Sequence, residues 1–379
     1  MDFAFSEEQE EFRAMVRRFV EERWPIGETR RLAESDTGFD RAVWKQMAAE
    51  LGLQGLAIPE ACGGHGFGFL ELGIALEELG RQLAGGPFLA SACVAASAVL
   101  AAGSEPQRAV LLPAIASGEQ IASLAILEPE GVAAPEGVAA SLRRQGGAHL
   151  VSGRKTCVID GQNADVLVVA VREPGSAGDE GLSLALVRAD APGIEVRALP
   201  GLDLTRKLAD VVLRDAPAEP LGTPGAAAGA LQRTLDLGAI ALAAEDVGAA
   251  ARCLESAVAY ARTRVQFGRP IGAFQAIKHK AAEVMLELEC ARSAAYWSWW
   301  VASQPGVEPA ALAEAASVAR SACSDAFQRA AAENLHIHGG VGFTWEFDCH
   351  LYFRRAKASE HLFGTPLAHR ARIARQLGL

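Results

Sequence analysis

The chain has 379 residues, of which 50% are apolar and 22% are charged, and this combination predicts a globular protein with two or three domains. Its formal net charge of −10 argues against a nucleic-acid-binding protein, in which a basic face is expected. The seven cysteines are scattered without any Cys-x-x-Cys pair. We therefore predict reduced thiols in a cytoplasmic protein, and neither a disulfide framework nor a zinc site.

Two stretches bear on targeting and membranes. Residues 1–8 are acidic and lack the basic and then apolar order of a secretion signal. The longest apolar run, residues 87–103, is rich in Ala and Ser and is shorter than a membrane span. The sequence thus predicts a buried helix in this run and no membrane span.

Residues 1–120 carry helical patterns. A capping box at Ser6–Gln9 precedes apolar residues at helical spacing, and a second helix is predicted over Asp40–Gly52. A glycine-rich loop at residues 58–68 leads into a helix predicted over Phe69–Gly80. This loop lacks the Gly-x-Gly-x-x-Gly register and follows no predicted strand, which excludes a dinucleotide fold of the Rossmann type.

The period changes to that of short strands over residues 121–225 and returns to helices over 226–379. The strands favour a compact antiparallel barrel or sandwich. A helix that is apolar nearly all round follows, as expected in an interior or a subunit interface. The fold class is therefore α+β, mostly α, with domains at 1–120, 121–225 and 226–379. Strands are predicted at 121–127, 148–152, 165–171, 182–187, 194–199 and 209–213.

The most informative stretch is Tyr260–Gln275, which joins two long apolar helices. Gly268 is predicted to end the first helix, Pro270 cannot continue it, and Gly272 lets the backbone turn before the next helix begins near Phe274. Arginines beside a helix N-terminus favour an anion site, although a solvated basic turn explains the same residues. The cations around this break are Arg262, Arg264, Arg269 and Lys278.

This stretch resembles the acyl-CoA dehydrogenase family, which carries Tyr-x-x-x-Arg-x-x-Phe-Gly-x-x-(Ile/Leu)-x-x-x-Gln here. The order of helices, small β-domain and helices matches as well, so the resemblance covers the full chain. It implies a C-terminal four-helix bundle, FAD as cofactor, an acyl-CoA substrate and an electron-transfer flavoprotein as acceptor. In the family, the residues matching Arg264 and Gln275 hold the pyrophosphate of a FAD that lies mainly in a neighbouring subunit. The other residues assigned to FAD are Phe267, His336, Gly339, Gly340 and Thr365.

The family's catalytic base is missing. A carboxylate must remove the substrate's α-proton, and the family supplies it as a Glu before Gly-Thr near the C-terminus or as a Glu in the first helix of the C-terminal domain. Phe363 and Gly238 stand at these two positions. Glu245 is a weak substitute, since it lies roughly 10 Å farther along the helix than Gly238. Its ordinary interpretation is an interhelical charge; Asp246 and Glu128 are expected at the surface or in turns.

The ring-binding segments of the family are altered too. Leu127–Pro129 replaces Thr-Glu-Pro and Cys157–Ile159 replaces Trp-Ile-Thr, which removes two hydroxyls and an indole. The chain keeps what one subunit provides to its neighbour and lacks what its own site needs. It is similar to the base-lacking subunit of the α2β2 heterotetrameric acyl-CoA dehydrogenases of bacterial steroid degradation.

We therefore predict a subunit that desaturates a CoA thioester, such as a steroid-derived one, together with a homologous base-bearing partner. Two alternatives stay open: a flavin-free scaffold, and a self-sufficient homotetramer that uses an acid such as Glu245. No metal is predicted, because His336, His338 and His350 lack the spacing of a ligand set.

Overall fold

The computed structural model describes residues 5–84, 86–131 and 134–379. Residues 1–4, which belong to the stretch analysed for a secretion signal, lie outside the described residues. The predicted fold class is confirmed, since helices, a β-domain and further helices follow one another. No described helix combines the length and the apolar character needed to cross a membrane.

The N-terminal helices include the three that the sequence predicts. They are α1 (Glu7–Arg23), α2 (Ile26–Ala33), α3 (Arg41–Leu51), α4 (Phe69–Arg81), α5 (Ala96–Ala102) and α6 (Glu105–Ala116). At the start of α1, Gln9 N–H donates to Ser6 Oγ at 3.3 Å and Ser6 N–H donates to Gln9 Oε1 at 3.0 Å. Asp40 caps α3, and Gly52 ends it with a φ of 62°.

The apolar run at residues 87–103 is a buried helix, as predicted. Its first part, Phe88–Ala95, is wound as a π-helix and continues directly into α5. Every residue from 88 to 99 is buried, so this segment forms a wall of the interior rather than a surface.

Seven described strands form the β-domain, and five of them close into a barrel. They are β1 (Ala122–Ala125), β2 (Ser141–Gln145), β3 (Ala148–Ile159), β4 (Val166–Arg172), β5 (Leu182–Arg188), β6 (Ile194–Leu199) and β7 (Leu208–Leu221). Strands β4, β2, β3, β7 and β5 are successive neighbours, and β5 pairs again with β4. The ring therefore closes, while β1 and β6 lie outside it and each pair with one of its strands.

The sheet differs from the predicted antiparallel arrangement at two pairings, because β2 meets β4 in parallel at Ser141 and Arg172 and β1 does so over a longer stretch. β1 pairs with β4 in parallel, from Ala122 with Val166 to Ala125 with Val169. The β2–β3 hairpin lies between them in sequence, so the chain enters β1 and β4 in the same direction.

The C-terminal part is built around one long buried helix. Its helices are α7 (Ala228–Thr263), α8 (Gln275–Ala302), α9 (Pro309–His338), α10 (Cys349–Ser359) and α11 (Pro366–Gln376). α8 and α9 pack along α7, and α10 and α11 cover α9, which forms the predicted bundle. α4 also packs on α7, where a side chain at Gly80 or Gly248 would overlap the backbone of the other helix.

The domain boundaries at residues 120 and 225 stay predictions. α6 ends at Ala116 and β1 begins at Ala122, whereas β7 ends at Leu221 and α7 begins at Ala228. Both boundaries fall in these short connections between elements.

Buried ion pairs join the β-domain to the C-terminal helices. Arg355 of α10 donates to Asp203 and, at 2.6 Å, to Thr205. Arg206, in the same loop as Asp203, pairs with Glu245 of α7. Because these charged side chains are buried, removal of one partner leaves an uncompensated charge, at a cost of about 3–5 kcal/mol.

Asp160, in the turn after β3, is buried near this cluster. Its carboxylate accepts a hydrogen bond from Asn163 Nδ2 at 2.8 Å. Burial raises the pKa of Asp160 to about 6, and the hydrogen bond from Asn163 and the guanidinium groups of Arg206 and Arg355 oppose that rise. The folded protein therefore holds a proton on Asp160 at pH values where the unfolded chain has lost it.

This shift predicts the pH dependence of an Asp160→Asn variant. The contribution of Asp160 to stability is highest below its unfolded pKa, about 4, and falls as the pH rises through 6. Asn keeps the hydrogen bond and tolerates the φ of 51°. Urea unfolding is expected to give a variant that is more stable by up to about 3 kcal/mol above pH 7, with the difference vanishing toward pH 4. Asp190→Asn, at an exposed site, is the control and should not increase the free energy of unfolding. A difference for Asp160→Asn that does not change with pH would contradict the raised pKa of Asp160.

Candidate functional site

The stretch between α7 and α8 forms a hairpin, which corrects the predicted helix end at Gly268. α7 already ends at Thr263. β8 (Val265–Gln266) pairs with β9 (Arg269–Pro270), and the turn residues Phe267 and Gly268 have φ values of 53° and 77°. Two left-handed residues are what a two-residue turn of type I′ requires, so the glycine serves the hairpin.

The hairpin exposes its side chains beside the start of α8. Phe267 is 90% exposed, and its ring centroid lies 6.0 Å from that of Phe274. The guanidinium of Arg269 lies 4.2 Å from the centroid of the Phe274 ring. α8 begins at Gln275, next to the predicted position. An exposed aromatic residue held at positive φ is costly for a monomer and indicates a contact surface.

The end of α9 lies beside this hairpin. The ring of His338 stacks on Tyr260, which precedes the hairpin on α7, with centroids 4.1 Å apart. Burial lowers the pKa of His338. His336, Gly339 and Gly340 are therefore next to the hairpin and exposed. We call these exposed residues the hairpin face: Arg264, Phe267, Gln275, His336, Gly339 and Gly340.

Thr365 lies elsewhere. It caps α11, with its Oγ1 accepting a hydrogen bond from Ala368 N–H at 3.2 Å, and it follows Phe363 closely in the chain. The seven residues predicted to contact FAD are thus divided between the hairpin face, which holds six, and the start of α11.

The two predicted base positions, Gly238 and Phe363, lie in contact. A methyl group added to Gly238 would lie 2.9 Å from the ring of Phe363. The ring therefore occupies the space into which a side chain from position 238 would project. Neither residue can accept a proton.

Phe363 is held in an unfavourable backbone conformation, with a φ of 54°. His369 Nε2–H donates to the Phe363 carbonyl at 2.9 Å. Arg320, which is buried, donates to the carbonyls of Ser359 and Leu362 just before it. These contacts fix the segment that presents the ring.

The Phe363 ring borders a cavity of about 70 Å³ between the β-domain and α7. Leu127, Cys157 and Leu235 contribute apolar or weakly polar groups to its lining. In the described part of the chain, no carboxylate lines this cavity; His361, which the sequence patterns did not single out, does.

The nearest acids are engaged elsewhere. Glu245 is buried, pairs with Arg206 and lies 3.8 Å from Arg355, and it does not line the cavity. Asp246 is buried and pairs with Arg320 at 2.7 Å, so its expected surface position is wrong. Burial raises the pKa of Asp246 to about 6, and Arg320 opposes that rise.

Glu128 is also buried, so its expected surface position is wrong, and it begins the turn that ends at Gly131. It accepts hydrogen bonds from Lys155 Nζ at 2.6 Å and from two backbone N–H groups, those of Ala139 and Ala140, each at 2.9 Å. Burial lowers the pKa of Lys155 to about 8. Sequence patterns missed this pair because nothing local links the two residues. Among the residues that the structure describes, no cluster of three His, Cys, Asp or Glu side chains could hold a metal.

Comparison with known proteins agrees with this architecture. The acyl-CoA dehydrogenase N-terminal, middle and C-terminal domains match residues 6–119, 123–215 and 228–378. The chain is 33% identical over 364 residues to acyl-CoA dehydrogenase IpdE2 of Mycolicibacterium smegmatis, a match that covers 95% of this chain and 96% of that protein. The chain belongs to the acyl-CoA dehydrogenase family.

Two solved structures are also similar. The ChsE4-ChsE5 complex from Mycobacterium tuberculosis contains a chain with a TM-score of 0.88 and 29% identity, covering 100% of this chain and 99% of that one. A variant of the Tcur3481-Tcur3483 steroid ACAD has a TM-score of 0.86 and 30% identity, covering 98% of both chains.

FAD is the cofactor of this family, and two parts of the chain fit it differently. The hairpin face is exposed and presents the guanidinium of Arg264, a group that suits a diphosphate. The cavity beside Phe363 does not fit a flavin ring, because its 70 Å³ is far below the roughly 300–1,000 Å³ of ligand pockets. The lost hydroxyls and indole of this segment are consistent with that closed cavity.

The contact between the two base positions predicts a coupled pair of mutations. Gly→Ala in a helix ordinarily stabilises by about 0.5–1 kcal/mol, whereas overpacking costs about 1–3 kcal/mol. Gly238→Ala should therefore destabilise the protein, and it should become neutral or stabilising when combined with Phe363→Ala. Gly229→Ala, on the same helix with open space around it, is the control. A double-mutant cycle by chemical unfolding measures the coupling, and additive effects would refute it.

Proposed function

We propose that the chain is the base-lacking subunit of a heteromeric acyl-CoA dehydrogenase. A homologous partner, in an α2β2 heterotetramer, holds the carboxylate that removes the α-proton of the acyl-CoA thioester. This chain contributes contacts to the FAD through its hairpin face. The contact of the Phe363 ring with Gly238 carries the proposal, because it leaves no proton acceptor at either base position of the family.

The hairpin face supports a role in holding the cofactor. Arg264 is exposed and pairs with no acid among the described residues, so its planar fork is free to bind diphosphate oxygens. Gln275 begins α8, where free backbone N–H groups and the helix dipole favour an anion. FAD supplies the hydride acceptor of the reaction when bound. Phe267 offers an apolar surface to the subunit that carries the flavin ring.

The similar proteins support the choice of partner and substrate in this proposal. One similar structure is a complex of two differently named chains, and another is a steroid ACAD. We therefore assign a homologous partner subunit and a bulky, steroid-derived acyl-CoA as substrate. The proposal includes an electron-transfer flavoprotein as acceptor and, from the free cysteines, a cytoplasmic location.

Two other functions are alternatives to the base-lacking subunit. A flavin-free scaffold is favoured by the small cavity beside Phe363. A self-sufficient homotetramer would need an acid or base at the cavity. His361 lines it and Glu245 does not, so His361 is the better-placed group for that alternative.

Flavin content separates the three functions. The chain is purified alone and after co-expression with a base-bearing homologue encoded beside it, and flavin absorbance per mole is recorded with acyl-CoA-dependent dye reduction. Flavin and activity only with the partner are expected. Activity of the chain alone, lost in His361→Gln, would replace the proposal by the homotetramer. A colourless protein in both preparations would indicate the scaffold.

The hairpin face can be tested within the same complex. Arg264→Gln removes the charge and keeps part of the side chain, so we expect the flavin content of the co-expressed complex to fall and its FAD dissociation constant to rise roughly tenfold or more. Arg375→Gln, at an exposed position near the C-terminus, is the matched control and should leave FAD binding unchanged. Equal effects of both variants would argue against a specific contact.

A further inference from the structure

A second cavity, of about 350 Å³, lies on another side of α7. The glycine-rich loop, α4, α5 and the end of α8 enclose it, and Phe67 of the loop, 55% exposed, borders it. Its volume falls within the range of roughly 300–1,000 Å³ found for small-molecule sites. It shares no lining residue with the cavity beside Phe363.

The geometry of α7 separates the two cavities. Arg233 and Leu237 line the larger cavity, and residues four apart share one helix face. Leu235 lines the smaller one, and Gly238 faces the Phe363 ring. At about 100° per residue these two pairs point in different directions. The larger cavity is thus a separate compartment from the two base positions.

Alanine, leucine and phenylalanine side chains supply about half of the exposed wall of the larger cavity, and polar atoms supply the rest. The hydroxyl of Ser97 donates to the Cys93 carbonyl at 2.6 Å, and that of Ser303 donates to the Trp299 carbonyl at 2.8 Å. Their protons are therefore already engaged. Polar anchoring of a ligand must come from another group.

Arg233 is that group. It is half-buried, it is the one charged residue in the described lining, and its side chain makes no hydrogen bond or ion pair with another described residue. The planar guanidinium carries five N–H donors and can hold a carboxylate in a bidentate pair, which adds geometric specificity to the charge attraction. An inorganic anion would leave the walls wet, and a neutral apolar molecule would leave the guanidinium unpaired.

We propose that this cavity binds a compact apolar molecule that carries one carboxylate, with Arg233 as the partner of that carboxylate. The apolar body lies between α4, α5 and α7, and the head group meets the guanidinium in a bidentate pair. The site is independent of the function proposed above. If the chain takes part in a flavin complex but binds no such acid, this inference is wrong and the function proposed above still stands.

Isothermal titration of the full-length chain tests the site with adamantane-1-carboxylate, adamantane-1-methanol and inorganic phosphate. The carboxylate is expected to bind at least tenfold more tightly than the alcohol, and phosphate not measurably. Arg233→Gln should weaken carboxylate binding about tenfold to a hundredfold and leave the alcohol unchanged. Arg252→Gln, on the same helix, should retain carboxylate binding.

A cavity-filling variant locates the site. Ala101→Leu adds volume at the partly exposed rim of the cavity, so it should weaken binding of both adamantane compounds while far-UV circular dichroism stays unchanged. Equal affinity for acid and alcohol would overturn the proposal. Carboxylate binding that survives Arg233→Gln, or no binding at millimolar concentrations, would overturn it as well.

Discussion

The site of this protein depends on one steric constraint, the contact of the Phe363 ring with the backbone at Gly238. The two positions predicted for the family's alternative bases lie in contact, one on α7 and the other in the turn after α10. With the ring in place, position 238 can hold no side chain without displacing it. The absence of a carboxylate at position 238 and its absence at position 363 are therefore parts of one structural feature. The strained φ of Phe363 persists because buried Arg320 and His369 fix the neighbouring carbonyls.

The surroundings of Phe363 and the hairpin face differ in how exposed their side chains are. Near Phe363 the interior is closed, and side chains fill the place of a ring-binding pocket. At the hairpin face, Arg264 and Phe267 are exposed, and the aromatic residue is held at positive φ by a two-residue turn.

Sequence patterns predicted the elements whose signals are local. Asp40 and Gly52 bound α3, and alternation defines β6 with the expected ends. β2 was not predicted, because only Leu142 in it is buried and polar residues follow, so the strand lacks the two-residue period of apolar side chains. Gly268 indicated a left-handed residue correctly, but a helix end and a hairpin turn share that signal. The contact of Gly238 with a residue far away in sequence could be found only in three dimensions.

Whether a remaining acid could restore catalysis to this chain depends on what it is bound to. Glu245 is buried between Arg206 and Arg355, and these contacts also hold a β-domain loop against the C-terminal helices. Moving its carboxylate to the cavity would leave two buried guanidinium groups without a full partner, at a cost of several kcal/mol. A general base must instead be free to approach the substrate proton. The buried acid that stabilises the domain contact is therefore unsuited to proton abstraction, and a base from a partner subunit avoids this conflict.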